Sequence, residues 1–410
     1  MTSAFRDIPI EHLCTKVTTG ATPLRSRPDF YEGGTTDWYK TGELKDWYLG
    51  SAEERITEKA LEETSVKLFP ANTVLMAMYG DGKTITSLGM LRAPAATNQA
   101  CSAMLVDEGK CDPRYFFYAL KGRRHLLLKI ASGGAQRNLS GRLIKEFKLP
   151  VPPLPVQRRI AGILSAYDEL MENSQRRIRI LEAMARAVYR DWFVELRFPG
   201  HEKLPRVSSP VGHIPQGWKM KKLGDLVSYN RRATKPGPHL DERKYVPIDC
   251  IPSRSLALLE AKLIEEAQSS LQLFEKGDIL FGAMRPYFHK VVIAPFAGVT
   301  RTTCFVFKPA NLEWNAFATM TAFEEATVAY ANAHSQGATI PYAVWDGSLA
   351  EMPLALPPDA LLRRFEKIVA PMLAKISQSY FTLDNLRRTR DLLLPRLLRG
   401  QVRVVNETYA

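Results

Sequence analysis

The stretch with the strongest claim to chemistry is Ala77-Met78-Tyr79-Gly80-Asp81-Gly82-Lys83-Thr84. It fits a relaxed phosphate-loop pattern in which Ala replaces the first Gly. Such a loop grips phosphate with the free amides that open a helix, so a helix must follow Lys-Thr directly. Here Ile85-Thr86-Ser87-Leu88-Gly89-Met90 follows, β-branched and then broken by Gly. No acidic strand motif for magnesium stands out downstream. Two readings remain: a nucleotide site, or a hairpin tip that presents Lys83 and Thr84 to DNA. The residues after Thr84 favour the hairpin tip.

Other catalytic patterns are missing. Base methylation needs an Asn/Asp-Pro-Pro-aromatic loop beside a glycine-rich cofactor turn, and Val151-Pro152-Pro153-Leu154 lacks both the amide or acid and the aromatic. The chain contains no Gly-x-Ser-x-Gly, no His-Glu-x-x-His and no Gly-x-Gly-x-x-Gly after a strand. Its seven histidines are scattered. Cys14, Cys101, Cys111, Cys250 and Cys304 stand alone, without Cys-x-x-Cys or Cys/His clusters. Zinc is therefore not expected, and the odd set fits reduced thiols in a cytosol. The expectation is a chain without catalytic machinery, metal or cofactor of its own.

What remains is recognition. Arg and Lys grip phosphates or read guanine edges, and Asn and Gln read adenine. In the first half the candidates for DNA contact are Arg25, Arg27, Lys83, Thr84, Gln136, Arg137 and Asn138. In the second half they are Arg231, Arg232, Lys235, Arg285, Tyr287, Lys290 and Arg301. These lie in Gly- or Pro-containing segments, where reading side chains are expected. The competing interpretation of each is a solvated surface charge. The 56 Lys and Arg against 43 Asp and Glu give a net charge of +13. That excess favours an acidic partner, but it is spread along the chain and only hints at nucleic acid.

The elements that must position these residues are written twice. Leu273-Phe274-Glu275-Lys276-Gly277-Asp278-Ile279-Leu280 echoes Leu68-Phe69-Pro70-Ala71-Asn72-Thr73-Val74-Leu75, 205 positions earlier. Gly337-Ala338 through Met352-Pro353 echoes Gly134-Ala135 through Leu149-Pro150 at an offset of 203, and Ile214-Pro215 echoes Ile8-Pro9. Leu223 and Val227 likewise echo Leu13 and Val17. Strands are predicted at Val74–Met78, Ser102–Val106, Asp278–Met284, Val291–Ala294 and Thr303–Lys308, and helices at Tyr115–Leu128 and Trp314–Asn332.

Each globular part ends in a proline-rich boundary that leads into a long periodic helix. Apolar steps of three and four run through Ile160, Ile163, Leu164, Tyr167, Leu170, Met171, Ile178, Leu181, Val188 and Trp192. They recur through Leu362, Phe365, Ile368, Val369, Met372, Ile376, Leu383, Leu386, Leu393 and Leu397. This is the seam of a coiled coil. The two helices are expected to pack antiparallel as a spacer. The fold class is α+β: two similar domains separated by a pair of long antiparallel coiled-coil helices, a tandem repeat with pseudo-twofold character. The boundaries fall at 1–150 for the first recognition domain, 151–197 for the first spacer helix and 198–214 for a Pro/Gly/Ser linker. They continue at 215–353 for the second domain, 354–400 for the second helix and 401–410 for the tail. No signal peptide or membrane-spanning run is evident, so a soluble cytoplasmic protein is expected.

The combination of Leu149-Pro150-Val151-Pro152-Pro153-Leu154-Pro155-Val156-Gln157-Arg158-Arg159-Ile160-Ala161, Ile214-Pro215-Gln216-Gly217-Trp218 and Asp391-Leu392-Leu393-Leu394-Pro395-Arg396-Leu397-Leu398-Arg399-Gly400 resembles the DNA-specificity (S) subunits of Type I restriction–modification systems. Ala185-Arg186-Ala187-Val188-Tyr189-Arg190-Asp191-Trp192-Phe193 adds to it. The resemblance covers nearly the whole chain. It implies two target-recognition domains, each reading one half of a split double-stranded DNA sequence, with helix length setting the gap. It implies two modification (M) subunits docked on the helices that bring S-adenosylmethionine chemistry. Restriction (R) subunits, where the system has them, bring ATP-driven translocation and cleavage. The S subunit itself would catalyse nothing. Recognition domains differ greatly within the family, so no DNA-contact residue carries over. The other readings are a nucleotide-dependent DNA-modifying enzyme and a coiled-coil adaptor without DNA binding.

Overall fold

The computed structural model describes residues 5–80, 84–132, 137–268 and 270–402. They form two compact units, one of Met1–Leu170 with Arg387–Ala410 and one of Met171–Leu386.

In the first unit a five-stranded sheet runs in the order Cys14–Thr19, Cys101–Val106, Val74–Ala77, Leu88–Met90, Trp47–Tyr48. Val74–Ala77 is apolar and buried along its whole length, as a strand covered on both faces must be. The helix Pro113–Gly122 covers this sheet with Tyr115, Phe116, Phe117 and Tyr118, all buried. Pro113 sits at its first turn, and the Asp112 carboxylate accepts from the Arg114 and Tyr115 amides at 3.0 Å each. The single helix expected over Tyr115–Leu128 is two, because the chain turns at Arg123 before Arg124–Ile130. A Cβ on Gly122 would lie 2.3 Å from a Leu398 methyl carbon, so a larger residue there would force the Leu398 side chain to move.

The second unit repeats the sheet order with Val227–Tyr229, Cys304–Pro309, Ile279–Gly282 and Val291–Ile293. Beside it lies a four-stranded sheet of Ala233–Thr234, Leu271–Phe274, Gly298–Arg301 and Lys244–Tyr245. The helix expected over Trp314–Asn332 is also split, into Asn315–Phe323 and Glu325–Ala333, with Glu324 extended between them. Residues 198–214 hold more than a loop. Arg206–Ser209 pairs with Gly212–Pro215 in a hairpin, and Gly212 takes the positive φ of +101° that its turn requires.

The strand registers move the repeat. Arg6–Pro9 pairs with Lys148–Val151, as Lys219–Lys222 pairs with Pro353–Leu356. Pro9 therefore corresponds to Lys222, and Pro353 to Lys148 rather than to Pro150. The short helix Ile10–Leu13 corresponds to Leu223–Leu226. The echo of Ile214-Pro215 was out of register by seven residues, and that of the stretch ending at Pro353 by two.

The long helices span Leu154–Tyr189, extended by a π-helical turn at Arg190–Val194, and Asp359–Leu398. Each follows a Pro-Pro pair, Pro152-Pro153 and Pro357-Pro358. In the first unit Ile160, Ala161 and Leu164 pack with Leu394, Leu397 and Leu398. In the second, Met171, Ile178, Tyr189 and Trp192 pack with Phe365, Val369, Ile376 and Leu383. Early residues of one helix meet late residues of the other, which is the antiparallel arrangement. Two expected seam residues face outward: Leu170 is 52% and Ile368 41% exposed. Leu373 and Tyr380 are buried in the second helix instead.

Candidate functional site

One local construction occurs in both units. In each, a hairpin of the central sheet ends beside a short loop closed by reciprocal backbone hydrogen bonds. In the first unit the hairpin joins Val74–Ala77 to Leu88–Met90. Ser132 N–H donates to Asn138 O at 3.0 Å, Asn138 N–H returns to Ser132 O at 2.7 Å, and Leu139 N–H anchors on Met78 O at 2.9 Å. In the second unit the hairpin joins Ile279–Gly282 to Val291–Ile293. Gln336 and Tyr342 exchange bonds of 2.9 and 2.7 Å, and Ala343 N–H anchors on Ala283 O at 2.8 Å. A glycine, Gly133 or Gly337, opens each loop in the sequence.

Several candidates meet at this construction. Arg137–Asn138 pairs as a strand with Tyr79–Gly80. Arg137 is exposed and reaches Leu128 O at 3.4 Å, while the Asn138 side-chain oxygen is buried without a hydrogen-bond partner. Arg285 donates its amide to Pro341 O at 2.8 Å, and its Nε is buried and unpartnered. Tyr287 stands 48% exposed on the adjacent turn. Lys83 and Gln136 lie outside the described residues. Thr84 lies in a turn, and the next regular element is the strand Leu88–Met90. No helix N-terminus therefore stands behind Thr84, and nothing in the described residues supports the phosphate-loop reading.

Other candidates are already engaged. Arg25 pairs with Glu54 and lies 4.7 and 5.0 Å from the Tyr31 and Trp38 ring centroids. Arg27 pairs with Asp29 at 2.7 Å and Glu63 at 3.2 Å, and stacks 4.3 Å over Phe30. Arg27 and Lys59 hold the Asp29 carboxyl well below the usual carboxylate range. Arg231 pairs with Asp346 and covers Tyr229 at 4.7 Å, and Arg232 pairs with Glu275 at 2.7 Å. Lys290 turns inward, its Nζ 2.7 Å from Ile248 O. Lys235 and Arg301 are exposed. Tyr79, Phe288, Tyr342 and Gln336 stand at the same construction and were not among the sequence candidates. Their only signal was the glycine that opens each loop.

The described cysteines are not poised as nucleophiles. Burial pushes the thiols of Cys14 and Cys101 up to about 12 and those of Cys250 and Cys304 up to about 11, so thiolates do not form at neutral pH. Buried His289 has Nε2 2.8 Å from Phe323 O, and burial lowers its pKa, which keeps it neutral. Among the described residues no group of three or more His, Cys, Asp and Glu is placed to hold a metal, and no helix is long and apolar enough to cross a membrane.

A family model described as the Type I restriction modification DNA specificity domain matches residues 4–183. The specificity subunit of the Type I restriction enzyme MjaIX of Methanocaldococcus jannaschii is 26% identical over 409 residues, covering 95% of this chain and 91% of that protein. The EcoR124I/EcoR124II specificity subunit of Escherichia coli is 29% identical over 155 residues, covering 37% of this chain and 38% of that one. Among solved structures, the Type-I restriction-modification S subunit from M. genitalium superposes with a TM-score of 0.62 at 17% identity, covering 96% of each chain. At that identity the likeness is one of fold.

Proposed function

We propose that the chain is a specificity subunit of the Type I restriction–modification kind and that it reads a bipartite double-stranded DNA target, one half with each unit's hairpin-and-loop site. The observation that carries this reading is the repeated construction with different side chains. Tyr79, Arg137 and Asn138 occupy the first site, and Arg285, Tyr287 and Tyr342 the second. Asn is suited to adenine and Arg to guanine or phosphate, so the two half-sequences differ. The recognition domains are residues 1–150 and 215–353, and the two long helices are the spacer between them. Exposed Ile180, Met184 and Phe381 give those helices apolar surface for two modification subunits. The chain is non-catalytic and works in the cytoplasm. It carries no cofactor, S-adenosylmethionine and ATP being bound by the modification subunits and, where the system has them, the restriction subunits.

Co-expression with the modification subunit, followed by mapping of methylated adenines, tests this. The expected result is one split motif with a fixed gap. Replacing residues 1–150 with the matching domain of a relative should change one half of that motif and leave the other. A methylome without any split motif would overturn the proposal.

A further inference from the structure

The second unit carries a feature that the first does not repeat in its described residues. Its hairpin ends in the turn Pro286–Phe288, flanked by two non-glycine residues in the left-handed region, Arg285 at φ 51° and His289 at φ 51°. Left-handed backbone at two such residues is costly and persists only where the surroundings enforce it. They do so here at several points. Arg285 N–H is held by Pro341 O at 2.8 Å, and His289 O accepts from Arg254 N–H at 2.8 Å. The buried His289 ring packs 4.8 Å from the Phe323 ring. Within the turn, Phe288 N–H bonds Arg285 O at 3.0 Å and His289 N–H bonds Pro286 O at 2.8 Å.

The result is a rigid turn with its proline buried and its aromatics outside. Tyr287 is 48% and Phe288 44% exposed, their rings 4.7 Å apart. A slack loop would fold two such rings back onto the protein, and a turn pinned at both ends cannot. At its foot stands half-buried Arg285, whose Nε has no hydrogen-bond partner and which makes no ion pair with another described residue. An apolar tip beside an unneutralised cation matches a nucleic acid, which offers base faces next to phosphates. It matches an apolar protein surface poorly, because that surface would leave Arg285 unpaired. In the first unit the corresponding connection exposes only Tyr79, at 37%, among its described aromatics.

We propose that the Tyr287–Phe288 turn is a wedge that inserts against one base step in the half-site read by the second unit. The wedge rests on the DNA-reading function proposed above. Pre-ordered aromatics recover by stacking part of what separating two base pairs costs. The step that this turn distorts lies in the half-site read by the second unit.

The test uses the full chain with its modification subunits and target duplexes carrying 2-aminopurine at successive positions of that half. The wild-type complex should raise the fluorescence several-fold at one step. Tyr287→Ala with Phe288→Ala should abolish the rise and weaken target binding by about 10- to 100-fold, with non-specific binding and its salt dependence unchanged. Tyr287→Phe should retain both the rise and the affinity. A double variant that keeps both would overturn the wedge while leaving the DNA-reading function standing. So would a double variant that binds DNA normally but loses its modification subunits, since the turn would then be a protein contact. A wild-type complex that methylates no split target would remove the function itself, and the wedge with it.

Discussion

Two carboxylates occupy positions where the helical seam would ordinarily bury apolar side chains. Asp168 is 4% exposed, accepts from the Tyr118 hydroxyl at 2.6 Å and pairs with Arg390 of the second long helix. Glu182 is 8% exposed and fastens its helix to the segment 255–257 of the second unit, accepting from Ser255 Oγ at 2.7 Å, Leu256 N–H at 2.8 Å and Ala257 N–H at 3.3 Å. Burial outweighs these bonds and raises the Glu182 carboxyl above its ordinary value. The folded chain therefore holds a proton that the unfolded chain has released, and stability falls as pH rises from the ordinary glutamate value through the raised one. Glu182→Gln keeps a carbonyl for the same donors and removes the titration. Unfolding midpoints from about pH 4 to pH 8 should show wild type losing stability relative to Glu182→Gln across that window. The loss should be about 1.4 kcal/mol for every pH unit that separates the carboxyl's titration in the folded chain from that in the unfolded one. Parallel curves would show that the carboxyl does not titrate in this way. Neither carboxylate was legible in the sequence, because a polar residue at a seam position reads as an outward one until its partners, 50 to 222 positions away, are in view.

Among the elements, the long helices were the most legible. Their Pro-Pro starts, apolar periods and antiparallel pairing all show in the structure. The seam was less so: Leu170 and Ile368 fit a spacing of three and four but face outward, because a helix drifts against a strict heptad over ten turns. The breaks at Arg123 and Glu324 were not legible, since the apolar spacing continues across both. The loops beside the two hairpins were invisible because backbone hydrogen bonds, not side chains, close them. Phe365 is the best test of the seam. It is fully buried against Tyr189, Trp192 and Phe193, with ring centroids 6.2, 5.9 and 4.8 Å away. Phe365→Ala should cost about 3–5 kcal/mol, read as a lowered denaturation midpoint. A loss below about 1 kcal/mol would mean that the aromatic cluster does not hold the helices together.

At the scale of the whole molecule, the duplication was legible as a repeat and misplaced in register, since the proline that marked its end, Pro353, corresponds to Lys148. Both long helices pass from one compact unit into the other, at Leu170/Met171 and Leu386/Arg387. If they set the gap between half-sites, their length is the quantity to change. Seven residues added to each helix at those points keep the apolar phase, because seven is the repeat of the seam. The addition lengthens each helix by about 10.5 Å, the rise of about three base pairs. Methylome mapping should then return both half-sequences unchanged and separated by about three additional base pairs. Inserting four residues in each would rotate the seam and should abolish specific methylation. Altered half-sequences with an unchanged gap would show that the recognition domains, not the helices, fix the spacing.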